Sequence, residues 1–525
     1  MPRLTAPTAA LFLATALSLS VGWGIRGNFG HEYGAMIPGA LAAMAAVLLA
    51  GREDWWRRIA YFAFFGALGW SFGGSISYMQ VIGFTHSGDS LSVAYGFACL
   101  FVIGFLWAAM GGAGTALPAC LTREQLTEFF IPLSAVFGAW WLQDLAIGWF
   151  HAINPDFRHA DPLYWYDTDW LGVLVAIVAV SVTAIARRRL DPASSLILHM
   201  AVGWWIGFLL LVVALGWRMT PPRGDNWAGC VGMVIGLWVY LVRHGLKNVL
   251  TASLVCGFIG GFGFATATLF KLIEIKSGWQ TNWHSVLEQT YGYINGLGIA
   301  AAILFLRTRA PRMDDSPPVR RWAEAYAVFF VLVGITYLNL RKNPAMWVKS
   351  NTVPAVLYGL SADAWFNFGY LALAALIIVV LVVHQQRPLP LIPASDPGKA
   401  QLLYLLFLWW MVAGNFDRAV VGFVPQRLIT EGVIHLNAVC CSLLVLLCVP
   451  APIAPPTSPA LAMPGALRRV IVIGLLATVL SIAADWAIVR AVWGNQYAGH
   501  AALHIRFGPN ATATKEKPAP TKPHP

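Results

Sequence analysis

Arg26, Asn28, His31 and Glu32 form a dense group of chemically capable side chains within the glycine-rich stretch Gly24 to Gly39, GIRGNFGHEYGAMIPG. An arginine offers two parallel donors that suit a carboxylate or a phosphate, and histidine changes its charge readily near neutral pH. We therefore expect Arg26 and Asn28 to bind substrate, and His31 and Glu32 to couple protons. The alternative is that His31 and Glu32 only satisfy backbone groups at a helix start, where glutamate is favoured.

A weaker copy of this stretch lies at Met219 to Gly236, MTPPRGDNWAGCVGMVIG. The aligned positions are Arg26 with Arg223, Gly27 with Gly224 and Asn28 with Asp225. Two arginines held close together in space would contact one anionic group from two sides, so Arg223 and Asp225 are also predicted to bind substrate. The alternative is that Arg223 pairs with Asp225, or that each arginine extends to lipid headgroups.

Two further matches follow in the same order and at nearly the same spacing. Gly66 to Gln80 aligns with Gly257 to Lys271, and Tyr95-Gly96 aligns with Tyr291-Gly292. Small residues in membrane helices usually serve close packing, yet Gln80 and Lys271 add polar groups at corresponding places. We expect both to take part in substrate binding, and the ordered matches favour an internal duplication.

Asp417 and Arg418 lie together inside an apolar run. Charges within hydrocarbon are costly unless they are paired or reached by water. The sequence therefore predicts that these two side chains form a buried charge pair.

The seven cysteines show neither CxxC spacing nor neighbouring histidines at the spacing of a metal site. The glycine-rich stretches are embedded in apolar runs and do not follow a strand, as a nucleotide-binding fingerprint requires. The sequence therefore predicts no metal and no cofactor.

Long apolar runs must position these residues. The chain is 58% hydrophobic and only 11% charged, whereas soluble domains are about 25% charged. A helix needs roughly 20 apolar residues to cross a bilayer, and the runs fit about 14 or 15 such helices. Their expected centres lie near Thr15, Ala43, Gly69, Gly104, Phe137, Val178, Phe208, Val234, Gly257, Ile299, Phe330, Ala374, Phe407, Leu443 and Leu475. The predicted fold class is an all-α polytopic integral membrane protein.

The two copies are separated by about six helices on this count, an even number, so both would enter the membrane in the same direction as parallel repeats. The predicted organisation is transmembrane repeat 1 at 1–190, repeat 2 at 191–386 and a C-terminal transmembrane segment at 400–507. A polar, proline-rich tail at 508–525 is predicted to be disordered.

The net charge of +11 is unevenly distributed, because basic residues cluster in alternate loops such as Arg187 to Arg189 and Arg307 to Arg321. This pattern predicts a cytoplasmic N-terminus in a bacterial-type inner membrane, with the first apolar run retained as a span. It favours the lipid bilayer as a partner and implies no nucleic acid. Most of the 24 tryptophans are expected to anchor the chain at the interface, among them Trp55, Trp56, Trp140, Trp141, Trp204 and Trp205.

These features favour a permease, similar to a secondary transporter, for a small polar and anionic solute, with proton coupling. The alternative is a membrane-embedded transferase that acts on a lipid-linked or extracytoplasmic glycan from the outer face. In that case Glu32 or His31 would be the general base, and the loop His151 to Trp170 would cover the acceptor site. A third possibility is a structural membrane subunit whose buried charges are paired.

Overall fold

The structure, a computed structural model, describes residues 6–73, 76, 78–87, 89–154, 165–166, 168–219, 225–313, 321–422, 425–454, 456 and 464–494. Almost all of them are helical. The helices are α1 (Ala6–Arg26), α2 (Glu32–Leu49), α3 (Glu53–Trp56), α4 (Ile59–Phe72), α5 (Met79–Phe84), α6 (Ser90–Cys120), α7 (Arg123–Thr127), α8 (Phe130–Ile153), α9 (Trp170–Ala186), α10 (Pro192–Phe208), α11 (Asn226–Arg243), α12 (Lys247–Ser277), α13 (Trp283–Arg307), α14 (Arg321–Phe329), α15 (Thr336–Leu340), α16 (Lys342–Lys349), α17 (Ala362–Gln386), α18 (Asp396–Gly422), α19 (Pro425–Leu447) and α20 (Pro464–Trp493).

Two π-helical segments adjoin these α-helices. Leu209–Ala214 continues α10, and Phe330–Ile335 joins α14 to α15. A small hairpin of β1 (Val356–Leu357) and β2 (Leu360–Ser361) pairs Val356 with Ser361 in antiparallel fashion. Tyr358 and Gly359, the two residues between the strands, both have positive φ, as a tight two-residue hairpin turn requires.

All fifteen predicted span centres fall within helical segments. Among the described residues, 12 helices are long and apolar enough to cross a membrane, which confirms an all-α polytopic membrane protein. The other three predicted centres lie in α4, α9 and α18. With 14 and 17 residues, α4 and α9 are shorter than the roughly 20 that a full crossing needs. α18 has 27 residues, but polar side chains such as Gln401 and Asn415 lower its hydropathy.

The chain divides into two compact units, each built from several separate stretches. The first comprises residues 1–75, 100–131 and 238–488, and the second comprises 76–99, 132–237 and 489–525. The predicted repeat boundary at 190–191 lies between α9 and α10, inside the second unit. The duplication and the predicted domain boundaries remain predictions.

Helix α2 lies at the core of the first unit, and every residue from Gly34 to Leu49 is buried. A helix that is apolar on all sides is one that other helices surround. Helix α1 can approach α2 closely because Gly22 has no side chain. A Cβ at Gly22 would lie 2.3 Å from Cα of Pro38 in α2. Helix α13 reaches α1 in the same way, through Gly292 and Gly296.

Arginines tie together one end of the first unit, here called the Arg52 end. The Arg52 side chain is fully buried and donates to both carboxylate oxygens of Asp54. It also donates to the carbonyl oxygens of Arg307, the last residue of α13, and of Ala310 just beyond it. Arg58, also fully buried, donates to the carbonyl oxygens of Pro118 and Leu121. Both arginines thus donate to free carbonyl oxygens at helix ends. Their side chains do not extend into solvent, as those of basic loop residues usually do.

Aromatic side chains fill the interior beside α1. The Trp23 ring contacts Trp70, Trp107 and Tyr291 edge-on, with centroids 5.7, 5.0 and 4.7 Å away. All four side chains are fully buried. Trp55, Trp56 and Trp204 are buried as well, whereas Trp141 is 62% exposed. The prediction that most tryptophans are interfacial anchors is therefore wrong for these buried rings, which pack as core aromatics.

The second unit contains α9, α10 and most of α8 and α11, and α10 packs closely against α11. A Cβ on Gly207 would lie 2.3 Å from the carbonyl oxygen of Ala228, and a Cβ on Gly236 would lie 2.1 Å from that of His199. Helices that approach this closely need small residues along the contact.

Candidate functional site

Arg26, the last residue of α1, is buried and forms an ion pair with the fully buried Glu288 of α13, at 2.5 Å between Nη1 and Oε1. Its guanidinium also lies 5.0 and 5.1 Å from the ring centroids of Trp23 and Trp107. A carboxylate and two aromatic faces thus offset the cost of burying this charge.

Two histidines complete a group that we call the Arg26 cluster, defined as Arg26, His31, His284 and Glu288. Nη2 of Arg26 donates to Nδ1 of His31. Nε2 of His284 lies 3.2 Å from Oε1 of Glu288, one helical turn along α13. The cluster therefore joins the end of α1, the start of α2 and the start of α13.

The local sequence explains why this turn forms. α1 stops because Gly30 adopts a φ of +98°, which favours glycine, and its N–H donates to the carbonyl oxygen of Arg26. Gly27 leaves room for the acid, because a Cβ there would lie 2.3 Å from Oε2 of Glu288. The glycines of GIRGNFG thus let a buried carboxylate approach the backbone beside Arg26.

A second group, here called the amide cluster, consists of Asn28, Asn415 and Glu431. Asn28 Nδ2 donates to Oδ1 of Asn415 at 2.7 Å and to Oε1 of Glu431 at 3.3 Å. Nδ2 of Asn415 donates to Oε2 of Glu431. Asn415 and Glu431 are fully or almost fully buried, at 0% and 1% exposed, so α18 and α19 present a second buried acid to the same turn.

Two cations contact Phe29 in the middle of the turn, one at its backbone and one at its ring. Lys342, the first residue of α16, donates through Nζ to the carbonyl oxygen of Phe29. The Arg418 guanidinium lies 5.2 Å from the Phe29 ring and donates to Oδ1 of Asn343 at 3.2 Å. Both side chains are half-buried.

Lys271, six residues before the end of α12, is buried and interacts electrostatically with Glu288. Among the described residues around 26–31 and Glu288, the charged side chains that are not exposed are the cations Arg26, Lys271, Lys342 and Arg418 and the carboxylates Glu288 and Glu431, while the exposed Glu32 acts electrostatically on Lys342. Cations outnumber carboxylates in a setting that screens charge poorly. Such a site attracts an anion.

The structure brings together four of the predicted substrate and coupling residues, namely Arg26, Asn28, His31 and Lys271, within the first unit. Asp225 belongs to the second unit, and Arg223 lies outside the described residues, as does the side chain of Gln80. The suggested pairing of two repeat arginines therefore remains a prediction.

Among the described residues, Asp225 pairs with Arg218. Nε of Arg218 donates to Oδ2 of Asp225, and both side chains are buried. The Arg218 guanidinium lies 4.8 Å from the Tyr166 ring. Burial raises the pKa of the Asp225 carboxyl to about 6, although Arg218 acts in the opposite direction. Arg218 was not predicted from the sequence, because it precedes the aligned motif.

His31 and Glu32 are not placed to act as one pair. His31 accepts a hydrogen bond from Arg26 on one side of its ring, while Glu32 starts α2 with an exposed side chain. Desolvation by the surrounding protein and the neighbouring Arg26 charge lower the pKa of His31 from 6.5 to about 4, although the residue keeps an exposed surface. His31 is therefore neutral at neutral pH, and its role in proton coupling remains a prediction.

Asp417 and Arg418 do not form the predicted buried pair. Asp417 is exposed, whereas Arg418 turns inward toward Phe29 and Asn343. Consecutive helical residues point about 100° apart, so the two side chains leave α18 in different directions. The prediction of a buried pair is therefore corrected.

Sequence reasoning missed Glu288, His284, Asn415, Glu431 and Lys342. A usable signal existed for the two acids, because each is a carboxylate within an apolar helix. Glu288 also precedes the Gly292 to Gly296 pair by one turn. The loop 151–170 cannot be compared with its predicted role as a cover, since residues 155–164 and 167 lie outside the described part of the chain.

Among the described residues, no group of three or more His, Cys, Asp or Glu side chains is arranged to hold a metal ion. The described polar groups around residues 26–31 are cations, amides, the two histidines of the Arg26 cluster and two carboxylates that are already hydrogen-bonded. Comparisons of the chain with protein-family models, with curated proteins and with solved structures give no match.

Proposed function

We propose that this protein is a permease for a small anionic solute and that the Arg26 cluster binds the anionic group. The observation that carries the proposal is the excess of cations over carboxylates around residues 26–31, where Arg26 and Phe29 are buried and Lys342 and Arg418 are half-buried. Uncompensated charge in such a place is costly, and an entering carboxylate or phosphate would neutralise it.

Arg26 would be the central contact, because its planar guanidinium can bind a carboxylate or phosphate with two parallel donors. In the structure, Glu288 holds this guanidinium and His31 accepts from it. An entering anion would compete with Glu288 for Arg26, and Lys271 lies close enough to Glu288 to balance the displaced carboxylate.

The arrangement suits binding better than proton abstraction from a substrate. Glu288 is engaged by Arg26 and His284, and Glu431 is engaged by two asparagine amides. A general base must reach the proton that it removes, whereas these carboxylates contact donors of the protein itself. Solute binding therefore accounts for both acids more simply.

The orientation that we propose places the Arg52 end in the cytoplasm and residues 26–31 toward the outside of a bacterial-type inner membrane. This assignment is supported by contacts between loops of the first unit that share a predicted side. At the Arg52 end, Arg57 pairs with Asp396 at 3.3 Å, and the N–H of Ile453 donates to the carbonyl oxygen of Gly51. The excess of arginine at that end agrees with the positive-inside rule.

A second candidate is a membrane-embedded transferase that acts on a lipid-linked or extracytoplasmic glycan. The observation that favours it is that the charged groups described around Arg26 all lie toward one end of their helices, which is where an enzyme working from one face would place them. A permease must expose its solute site alternately to both sides.

Uptake into proteoliposomes tests the proposal, with radiolabelled inorganic phosphate, sulfate and succinate as probes. The wild-type protein should take up at least one of them, and Arg26→Gln should abolish that uptake without loss of reconstituted protein. Arg188→Gln, which changes an exposed arginine of the second unit, is the matched control and should leave uptake unchanged. Undiminished uptake by Arg26→Gln would refute the assignment. Transfer of a labelled sugar from a polyprenyl-phosphate donor, without uptake, would favour the transferase.

A further inference from the structure

Two buried carboxylates flank residues 26–31, and they differ in their partners. Glu288 is neutralised by Arg26 in a direct ion pair. Glu431 is equally buried, but it is held by the amide groups of Asn28 and Asn415 and, among the described residues, forms no ion pair. Amides offer dipoles and no net charge, so burial of Glu431 as an anion leaves a charge that must be balanced in some other way.

Glu431 makes direct hydrogen bonds to the two asparagine amides, which leave little room for a cation that could neutralise its carboxylate. Asn28 and Asn415 are 2.7 Å apart at Nδ2 and Oδ1, and Asn28 is 3.3 Å from Oε1 of Glu431. A metal cation bound between these atoms would have to separate them, since sites for hard cations place oxygens around the ion at more than 2 Å on each side. A proton needs no additional space.

The groups that face Glu431 come from three elements. The turn after α1 contributes Asn28, and α18 contributes Asn415. Within α19, Arg427 attracts the carboxylate from beyond ion-pair distance, and Nδ1 of His435 lies 2.9 Å from the backbone carbonyl oxygen of Glu431. Among the described residues, the hydrogen bonds to the carboxyl oxygens of Glu431 come from these two amides.

We propose that Glu431 is the proton-binding group of this protein, which takes one proton from water onto its carboxylate and returns it to water during each transport cycle. The inference deepens the proposed permease function and rests on it for the coupling step. Protonation converts the carboxylate to a neutral carboxylic acid, with no other bond formed or broken. His31 and Glu32, the coupling residues that the sequence suggested, are not required for it.

Asn28 links this group to the solute site. It lies two residues after Arg26 on the same turn and donates to both Asn415 and Glu431. A protonated Glu431 presents a hydroxyl donor where the carboxylate presents only acceptors, so Asn28 and Asn415 must rearrange their amides when the proton arrives. That rearrangement moves the turn that carries Arg26.

Infrared difference spectroscopy on the full-length protein in lipid bilayers tests the proposal without knowledge of the solute. A change from alkaline to acidic buffer should produce the carbonyl band of a protonated carboxylic acid in the wild type. Glu431→Gln, which mimics the protonated form, should lose the part of this band that belongs to Glu431, whereas the part from other titrating carboxyls such as Asp225 remains. Glu32→Gln, which removes an exposed carboxylate near the same turn, should keep the Glu431 part. A band that persists unchanged in Glu431→Gln would overturn the proposal.

Glu431→Asp controls for misfolding, and a transport assay tests the permease assignment separately. Glu431→Asp retains a carboxyl group and should show a displaced band in correctly folded protein. In proteoliposomes, an inward proton gradient should accelerate uptake of whichever of phosphate, sulfate or succinate the wild type accepts, and Glu431→Gln should lose this acceleration. Dependence on Na⁺ in place of protons would overturn the proposal. Absence of uptake of every probe would refute the permease assignment alone, because the infrared result stands separately.

Discussion

Arg26 shows how a charged side chain can be buried in an apolar helix bundle when several individually modest interactions stabilise it together. Glu288 supplies the opposite charge, two tryptophan faces supply cation–π contacts, and His31 accepts one of the remaining donors. Removal of one member of a buried ion pair is expensive because the other charge then lacks compensation. The residue types were visible in the sequence, but the identity of the partner depended on the packing of α13 against α1.

Arg26→Gln and Glu288→Gln should each destabilise the protein by about 3–5 kcal/mol. The double variant removes both charges, so it should cost less than the sum of the single changes, with a coupling energy of about 0.5–3 kcal/mol. Thermal or denaturant unfolding of all four proteins in one detergent measures this cycle. Strictly additive effects would show that the two side chains do not interact.

Acidification should destabilise the protein through His31. Its pKa is about 4 in the folded protein against an ordinary 6.5, so the unfolded chain binds more protons between these values. The contribution of His31 to stability is therefore complete above pH 6.5 and is lost as the pH falls toward 4. The melting temperature of His31→Gln should fall less steeply over this window than that of the wild type. Parallel pH profiles of the two proteins would contradict the assignment.

At the scale of elements, glycine positions decide which helices can meet. Gly296 of α13 faces α1 so closely that a Cβ would lie 2.4 Å from Cα of Ala16. The same contact holds Glu288, two turns earlier on α13, beside Arg26. The site therefore depends on the close packing of these two helices as well as on its own polar groups.

Gly296→Ala should destabilise the protein by about 1–3 kcal/mol, because the added methyl group meets backbone atoms that cannot move aside easily. Gly369→Ala is a matched control in the interior of α17, where nothing lies within 4 Å of the Cβ position. That change should be neutral or stabilising by up to about 1 kcal/mol. Melting temperatures in the same detergent separate the two cases, and equal losses would contradict the packing argument.

Helix positions were predictable from sequence because burial in a bilayer demands long apolar runs, and all fifteen expected centres lie in helical segments. Side-chain partners were not predictable, since they depend on which helices are neighbours in space. Arg26 and Glu288 are separated by 262 residues, and Asn28 and Glu431 by 403. Asp417 and Arg418 show the opposite case. They are neighbours in sequence and were predicted to pair, but consecutive helical residues point in different directions.

At the scale of the whole molecule, the account depends on which side of the membrane each loop occupies. The proposed orientation places the loop between α12 and α13 outside and the loop between α9 and α10 inside. Trp279 lies in the former and is 73% exposed, and Arg188 lies exposed in the latter. Both positions are suited to chemical labelling.

Trp279→Cys should react with a membrane-impermeant maleimide in intact cells, whereas Arg188→Cys should react only after the membrane is opened. The wild-type protein measures the background, because Cys120, Cys440 and Cys448 are half-buried whereas Cys99, Cys230, Cys256 and Cys441 are buried. The opposite labelling pattern would reverse the orientation and place the Arg26 cluster at the cytoplasmic side.

Anion binding to the purified protein tests the central claim most directly, through the melting temperature of wild type and Arg26→Gln with inorganic phosphate, sulfate and succinate. A ligand that binds only the folded state stabilises it by about 2.7 kcal/mol at a hundredfold excess over its Kd. The account predicts that at least one of these anions raises the melting temperature of the wild type and of Arg188→Gln, and that Arg26→Gln loses this increase. An equal increase in Arg26→Gln, or no increase in the wild type with any of the three anions, would contradict it.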